Sequence, residues 1–503
     1  MKKAARHTAV LAMILALVSC LPVCALTRGN DYLYDTQDRS VPAPAAYTAV
    51  EVVDGADMGV GALRSPQDVF VDREQNVYIA DTDNNRIVLL DSQLKKTGVI
   101  TQIVYKGETQ ELSGPKGVYK AVDGLLYICD TGNERVVAVN ERGEAVRVMT
   151  SAGLLAADLV VAVSRLTRKT VIERYGVPPE KVVVDTDGNV YVVDPSIYQG
   201  IVQYNKDDAF IGFFAPNEVE ATTDVLLMQL WKRWFSDQQV DAMQKALPSA
   251  YSNLYIDEEN FLYASSPARS GGKQLKRLNT LGVDILQPEG KAYGLGKFGD
   301  LETSYEDYKE VTSAFVDVHA DKSGILCGAD STRGRLFLYD ADCSLIAVFG
   351  DTGDTRGAFR SLVAIDKLGD NYLALDSEKA SLTVFAPTDY MRAVLDALSY
   401  YSAGRYVESV DLWEGVLQRN SGFTLAYRSI GRAYFQEGDN AAAMRMLKKG
   451  DDPYFYSMAL KEYRKEFVRR YFVFLILGGA AVLTGLVFLL RRLRRWMLSG
   501  KER

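Results

Sequence analysis

The side chains best equipped for chemistry come as a repeated set. Residues 80–91 read ADTDNNRIVLLD and residues 129–140 read CDTGNERVVAVN, so Asp81, Asn84 and Arg86 return as Asp130, Asn133 and Arg135. A carboxylate beside a guanidinium can form an ion pair, cap turn amides or, in a cleft, move a proton. Asn suits a left-handed turn position. The set is read as structural: the Asp caps turn amides, the Arg pairs with a nearby carboxylate, and successive units stay in register. Asp194, Asp330 with Arg335, and Asp376 occupy the same places further on, while Ser265 replaces the Asp in one copy with no substitute nearby.

Other catalytic groups are scarce. The chain has two histidines, His7 and His319, and His7 lies in a leader segment. One histidine cannot build a histidine-held metal site, and His319 is expected on a strand near solvent. There is no Gly-rich phosphate loop, nucleophile elbow or Cys-His pair. No catalytic residue is assigned. Beyond Cys20 and Cys24, the cysteines are Cys129, Cys327 and Cys343, without metal-ligand spacing; they allow one disulfide or three free thiols. A net charge of −7 over 503 residues argues against nucleic acid as a partner.

The motif sits in a longer repeat. Six copies occupy 68–91, 117–140, 181–205, 253–279, 317–340 and 362–385. Each holds two alternating strands around a turn with Asp and Gly or Asn, then a polar turn and a third strand. Period-two alternation buries one face of each strand. Tyr78, Tyr127, Tyr191 and Tyr263 share one offset, as a repeated packing position should. Five copies are followed by a further strand: GVITQIVYKG, EAVRVMTS, AFIGFFA, VDILQPEG and SLIAVFG. The sixth is not, and an orphan strand, YTAVEVVDG at 47–55, precedes the first. The expected fold is therefore mainly β: a six-bladed propeller over 47–388, closed by strands from both ends.

Lacking a Trp-Asp dipeptide, the chain does not look like a WD40 propeller. On its ADTxNxRI-type motifs it resembles the NHL-repeat family across about residues 47–385, most closely in the first two copies. That resemblance implies a six-bladed NHL-type propeller. The order of segments also resembles a group of exported bacterial NHL proteins, which implies work beside membrane transport systems. Other six-bladed propellers are enzymes. A gluconolactonase-like hydrolase of sugar lactones would hold a divalent metal near the central channel with Glu, Asn or Asp from different blades, and oxygen ligands suit calcium.

The ends define location. MKKAARHTAVLAMILALVSCLPVCA has the basic start, apolar run and small residues of a signal peptide over 1–25. Cleavage is expected between Ala25 and Leu26, with lipidation of Cys20 in a lipobox-like LVSC as the alternative. Residues 471–490 are twenty uncharged residues, enough for one transmembrane helix, with a basic tail at 491–503. The signal peptide places the bulk of the chain outside and this tail in the cytoplasm, making a single-pass protein of the cell membrane.

Two further regions read as helical. Inserts at 152–175 and 222–246 have helical spacing, and Trp231 and Trp234 share a helix face in the second. They serve either recognition, of a protein at the cell surface or of a carbohydrate, or docking of the insert onto the propeller. From 390 to 470, Ala397, Tyr400, Gly404, Ser409 and Trp413 return 34 residues later as Gly431, Tyr434, Gly438, Ala443 and Leu447. That period resembles two tetratricopeptide repeats.

Overall fold

Six short sheets lie around one axis, because each repeat buries its strands only against a neighbour. The computed structural model describes residues 31–150, 178–197, 199–216, 250–266, 274–286, 298–300, 304–306 and 309–499. The leader with Cys20, Ala25 and Leu26, the insert at 152–175, and the insert carrying Trp231 and Trp234 lie outside the described residues. So do most of residues 288–312 and the last four residues of the tail.

The first blade runs Pro66–Val71, Val77–Asp81, Arg86–Leu90 and Lys96–Ile100. The second is Gly117–Lys120, Leu126–Asp130, Arg135–Val139 and Ala145–Thr150. The third begins at Lys181–Val184, the fourth at Asn253–Ile256, the fifth at Phe315–Ala320 and the sixth at Leu362–Leu368. All are antiparallel, and each innermost strand neighbours the innermost strands of the blades on either side. The middle strand of the first blade, Val77–Asp81, is buried throughout because adjacent blades cover both of its faces. Val69, Ile79 and Val88 of that blade pack with Ala364, Leu373 and Val384 of the sixth.

The orphan strand closes the ring. Tyr47–Asp54 pairs antiparallel with Ser381–Pro387, from Tyr47 opposite Pro387 to Asp54 opposite Ser381, as the fourth strand of blade six. Two expected fourth strands differ. After Ile100 the first one leaves its sheet, and Gln102–Tyr105 pairs with Glu108–Glu111 in a separate hairpin. In the fourth blade the described residues form three strands, with one bridge between Leu278 and Asp284. There the Asp284 carboxylate takes the Arg277 amide at 3.2 Å, where a ladder would offer a main-chain carbonyl.

The recurrent tyrosine has a polar reason as well as a packing one. Tyr78, Tyr127, Tyr191 and Tyr263 donate to Asp72, Asp123, Asp185 and Asp257 at 3.0–3.2 Å. Those carboxylates also accept amides of the first turn, as Asp72 does from Asn76 at 2.7 Å. Each buried ring thus fastens the turn that joins the two innermost strands of its blade.

The second unit is helical. Its helices are α1 (Asp389–Ser402), whose first turn belongs to the propeller unit, α2 (Tyr406–Arg419), α3 (Thr424–Glu437), α4 (Asn440–Lys449) and α5 (Pro453–Ser499). Gly404 and Gly438 turn the chain between helices at φ +75° and +84°. At Gly431 an added Cβ would lie 2.6 Å from the Leu447 side chain, so α3 and α4 approach closely because that residue is Gly. Trp413 and Leu447 are fully buried. The 47-residue α5 departs from helical geometry at Tyr471, where its apolar part begins. It is long and apolar enough to cross a membrane, with mean hydropathy 2.6 over its most apolar stretch.

A chain starting at residue 55 should leave the edge of blade six unpaired. It is expected to aggregate or to be cut by protease within Leu362–Pro387, where the full-length protein is resistant. Limited proteolysis with mass mapping checks this, and equal resistance would contradict the closure.

Candidate functional site

Alternate residues of the six innermost strands form two layers around the axis. The ladders align Asp68, Gly117, Lys181, Asn253, Asp317 and Ala364 as one layer. Two residues along, Phe70, Tyr119, Val183, Tyr255, His319 and Asp366 form the next. Three carboxylates, one ammonium and one imidazole from four blades therefore meet in an interior where Asp68, Asp317 and Asp366 are 2–4% exposed.

Their partners are specific. Lys181 Nζ donates to Asp68 Oδ1 at 2.6 Å, joining the first and third blades, while Asp68 Oδ2 accepts the Val118 amide of the second at 2.9 Å. Asp317 accepts the Val318 amide and, from the sixth blade, the Ile365 amide, both at 2.7 Å. Asp366 accepts the Lys367 amide and, from the first blade, the Val71 amide, again at 2.7 Å. Each carboxylate thus ties its own strand to the next blade. His319 is not near solvent as the sequence suggested. It is 6% exposed, with Nδ1 2.9 Å from Asp366 Oδ1 and its ring 4.6 Å from that of Tyr255. The blade-to-blade packing that buries five of the six residues of Phe315–Ala320 encloses it.

Burial dominates the electrostatics here. It pushes the Asp317 carboxyl up to about 7, against the opposing pull of Lys181 and the two amides. Asp68 is also raised by burial, with Lys181 opposing. Burial lowers Lys181, but the attraction of Asp68 and Asp317 outweighs it and the ammonium is held above its usual range. Both oxygens of all three carboxylates are already engaged. The free space among the lining residues is about 10 Å³, the minimum for one water. A calcium ion would need several free oxygen ligands and would face the Lys181 ammonium, so these residues do not fit one. Among the described residues no three His, Cys, Asp or Glu side chains converge as a metal-binding group.

The repeat residues lie away from this axis and tie each blade to the segment leading into it. Asp81 Oδ1 accepts the Arg64 amide at 2.7 Å; Oδ2 accepts Asn84 at 2.8 Å and Arg86 Nε at 2.6 Å. Arg86 continues to the carbonyls of Val60 and Ala62. Asp130 repeats the pattern with the Ser113 amide, Asn133 and Arg135 at 2.7–2.8 Å. The left-handed residue of each turn is the one after the Asn, Asn85 and Glu134, at φ +51° and +53°.

The other copies vary the scheme. Asp376 takes the Arg360 and Lys379 amides at 2.8 and 2.9 Å, and Asp330 those of Ala314 and Thr332 at 2.9 Å. Arg335 pairs instead with Asp300 at 3.1 Å, beside Tyr32, while Tyr32 and Tyr34 donate to the same carboxylate. Asp194 accepts the amide and hydroxyl of Ser196, both at 2.7 Å, and burial raises its carboxyl. In the fourth blade the register places Ser266, not Ser265, at the motif position, and its hydroxyl donates to the Ala250 carbonyl at 3.2 Å.

Sequence reasoning passed over Asp68, Lys181, Asp317 and Asp366. The signal was available, since charged residues open strands that are otherwise apolar, as in DVFV, KVVV and DVHA.

The arrangement defines a mainly β, six-bladed propeller with a C-terminal helical region and one membrane-length helix. No protein-family model matches the chain, and no curated protein does. Solved structures similar to it include virginiamycin B lyase from Staphylococcus aureus, at 9% identity and a TM-score of 0.37, covering 64% of this chain and 95% of that one. A protein assigned as a gluconolactonase is 11% identical with a TM-score of 0.36, covering 69% and 94%. A Bacteroides thetaiotaomicron protein of unknown function is 10% identical with a TM-score of 0.37, covering 71% and 76%. At these values the likeness is one of fold alone.

Three outcomes are expected. Asp317 has a folded pKa above its unfolded one, so its contribution to stability is full below about pH 4 and fades as pH rises through about 7. Melting temperatures between pH 5 and 8 should therefore fall less in Asp317→Asn than in the parent. Lys181→Met leaves Asp68 buried and unpaired and should cost about 3–5 kcal/mol, much of it recovered in Lys181→Met/Asp68→Leu. Asp81→Ala should cost about 3 kcal/mol by denaturant titration, because Arg86 and the Arg64 amide lose their partner.

Proposed function

We propose that the protein is an exported, membrane-anchored binding or scaffolding protein. Its NHL-type propeller and tetratricopeptide-like helices would recognise a protein partner at the cell surface, beside a membrane transport system. The observation that carries this reading is the filled central channel. A lactonase-like hydrolase would need carboxylate oxygens free for metal and substrate there, but those of Asp68, Asp317 and Asp366 are spent on amides and on Lys181. With the described axis residues engaged with one another, loops and outer surfaces remain for recognition. The membrane-length α5 supports the anchor. The leader at 1–25 supports export, and its cleavage before Leu26 leaves α5 to hold the protein.

Trp231 and Trp234 are the proposed contact residues of the insert at 222–246. Chemical cross-linking of the full-length protein in its own membrane, followed by mass spectrometry, should yield a stoichiometric protein partner linked through 222–246 or 390–470. Deleting 222–246 should reduce that product at least tenfold while the propeller melts at an unchanged temperature. A clean monomer in the native membrane would overturn the scaffold reading.

A further inference from the structure

We infer that the basic end of the free face of α5, from Lys461 to Tyr471, docks on anionic phospholipid headgroups, in the leaflet that the helical region meets before the span. One side of this part of α5 is occupied: Ala459 is buried against Ala443 and Leu447 of α4, and Glu466 accepts from Asn440 at 2.7 Å. The other side carries Tyr454, Met458, Lys461, Arg464, Val468 and Tyr471, spaced three or four apart in one stripe and all exposed. Tyr454 and Val468 are 67% and 48% exposed, a poor arrangement for water. At a headgroup boundary it is favourable, with aromatic rings at the interface and long basic side chains reaching the phosphates.

Charge points the same way. Residues 461–470 hold five cations and two carboxylates in a chain of net charge −7. Lys465 pairs with Glu462 at 2.5 Å and Asn440 holds Glu466, so neither carboxylate serves the rest. Among the described residues, Lys461, Arg464, Arg469 and Arg470 have no ion pair. At ~1.5 Å per residue Arg464 lies about 10 Å from Tyr471, where the apolar stretch begins. That is about one Debye length at physiological salt, so its charge acts on the headgroups. A second basic group, Arg491, Arg492, Arg494 and Arg495, follows the span. The cations before it therefore do not serve as the basic excess that fixes orientation.

The test uses the full-length protein in phosphatidylcholine nanodiscs containing trace spin-labelled phosphatidylglycerol or spin-labelled phosphatidylcholine. Electron paramagnetic resonance gives the relative association of each lipid with the span. Phosphatidylglycerol should be favoured by about threefold to fivefold. The variant Lys461→Gln/Arg464→Gln/Arg469→Gln/Arg470→Gln should lose at least half of that preference, with an unchanged melting temperature, since all four side chains are exposed. Arg491→Gln/Arg492→Gln/Arg494→Gln/Arg495→Gln should keep the share that the first group supplies. No preference in the parent protein would overturn the inference, as would full preference in the first variant or complete loss in the second. The inference rests on α5 crossing the membrane. Failure to insert into nanodiscs would remove the anchor itself, whereas insertion without lipid preference would remove only the headgroup contact.

Discussion

A closed ring of sheets requires its last blade to meet its first, and every other contact in the propeller depends on that junction. Here the junction has two parts. Tyr47–Asp54 supplies the outer strand of blade six, so that one sheet is built from residues more than three hundred positions apart. On the inner side, Asp366 of the sixth blade accepts the Val71 amide of the first at 2.7 Å. The outer pairing removes an exposed edge, and the inner bond fixes the distance between the two blades at the axis. With the ring closed, the apolar side chains between blades have no alternative partner. The near-complete burial of strands such as Val77–Asp81 follows.

Carboxylates recur in the polar contacts of the blades, at three kinds of place. At the axis they accept amides from the next blade. One turn further out, Asp72 and its counterparts hold the first hairpin turn and a buried tyrosine. Further along, Asp81 and its counterparts bind the segment that leads into the blade. A carboxylate accepts two or more bonds at once and forms strong ones with amides. It therefore suits places where several strands end and leave unpaired N–H groups. The cost is burial of charge, visible in the raised Asp68, Asp317 and Asp194. Lys181 offsets part of it at the axis. At the axis these uses engage both oxygens of Asp68, Asp317 and Asp366.

The helical unit uses different means. Close approach at Gly431 and left-handed turns at Gly404 and Gly438 pair its helices. Its last helix continues from a face packed on α4 into an apolar stretch with no protein cover. The break in helical geometry at Tyr471 coincides with that change of surroundings.

The sequence alone determined much of this chain. Six copies, period-two strands, the orphan strand that completes blade six and an apolar stretch long enough for a membrane are all local patterns, set by side-chain alternation and segment length. The neighbouring blades decided the rest. His319 looks like an ordinary strand residue, yet its strand is innermost and its side chain faces the axis, so packing encloses it. Arg335 has the same offset from its Asp as Arg86 has, but Asp300 and Tyr32 approach and take it. The meeting of Asp68, Lys181, Asp317 and Asp366 has no local signature, because its members are brought together from four blades only when the ring closes. A charged residue at the head of an apolar strand is visible in sequence. Which charge it meets, and whether any space remains for a ligand, are properties of the closed ring.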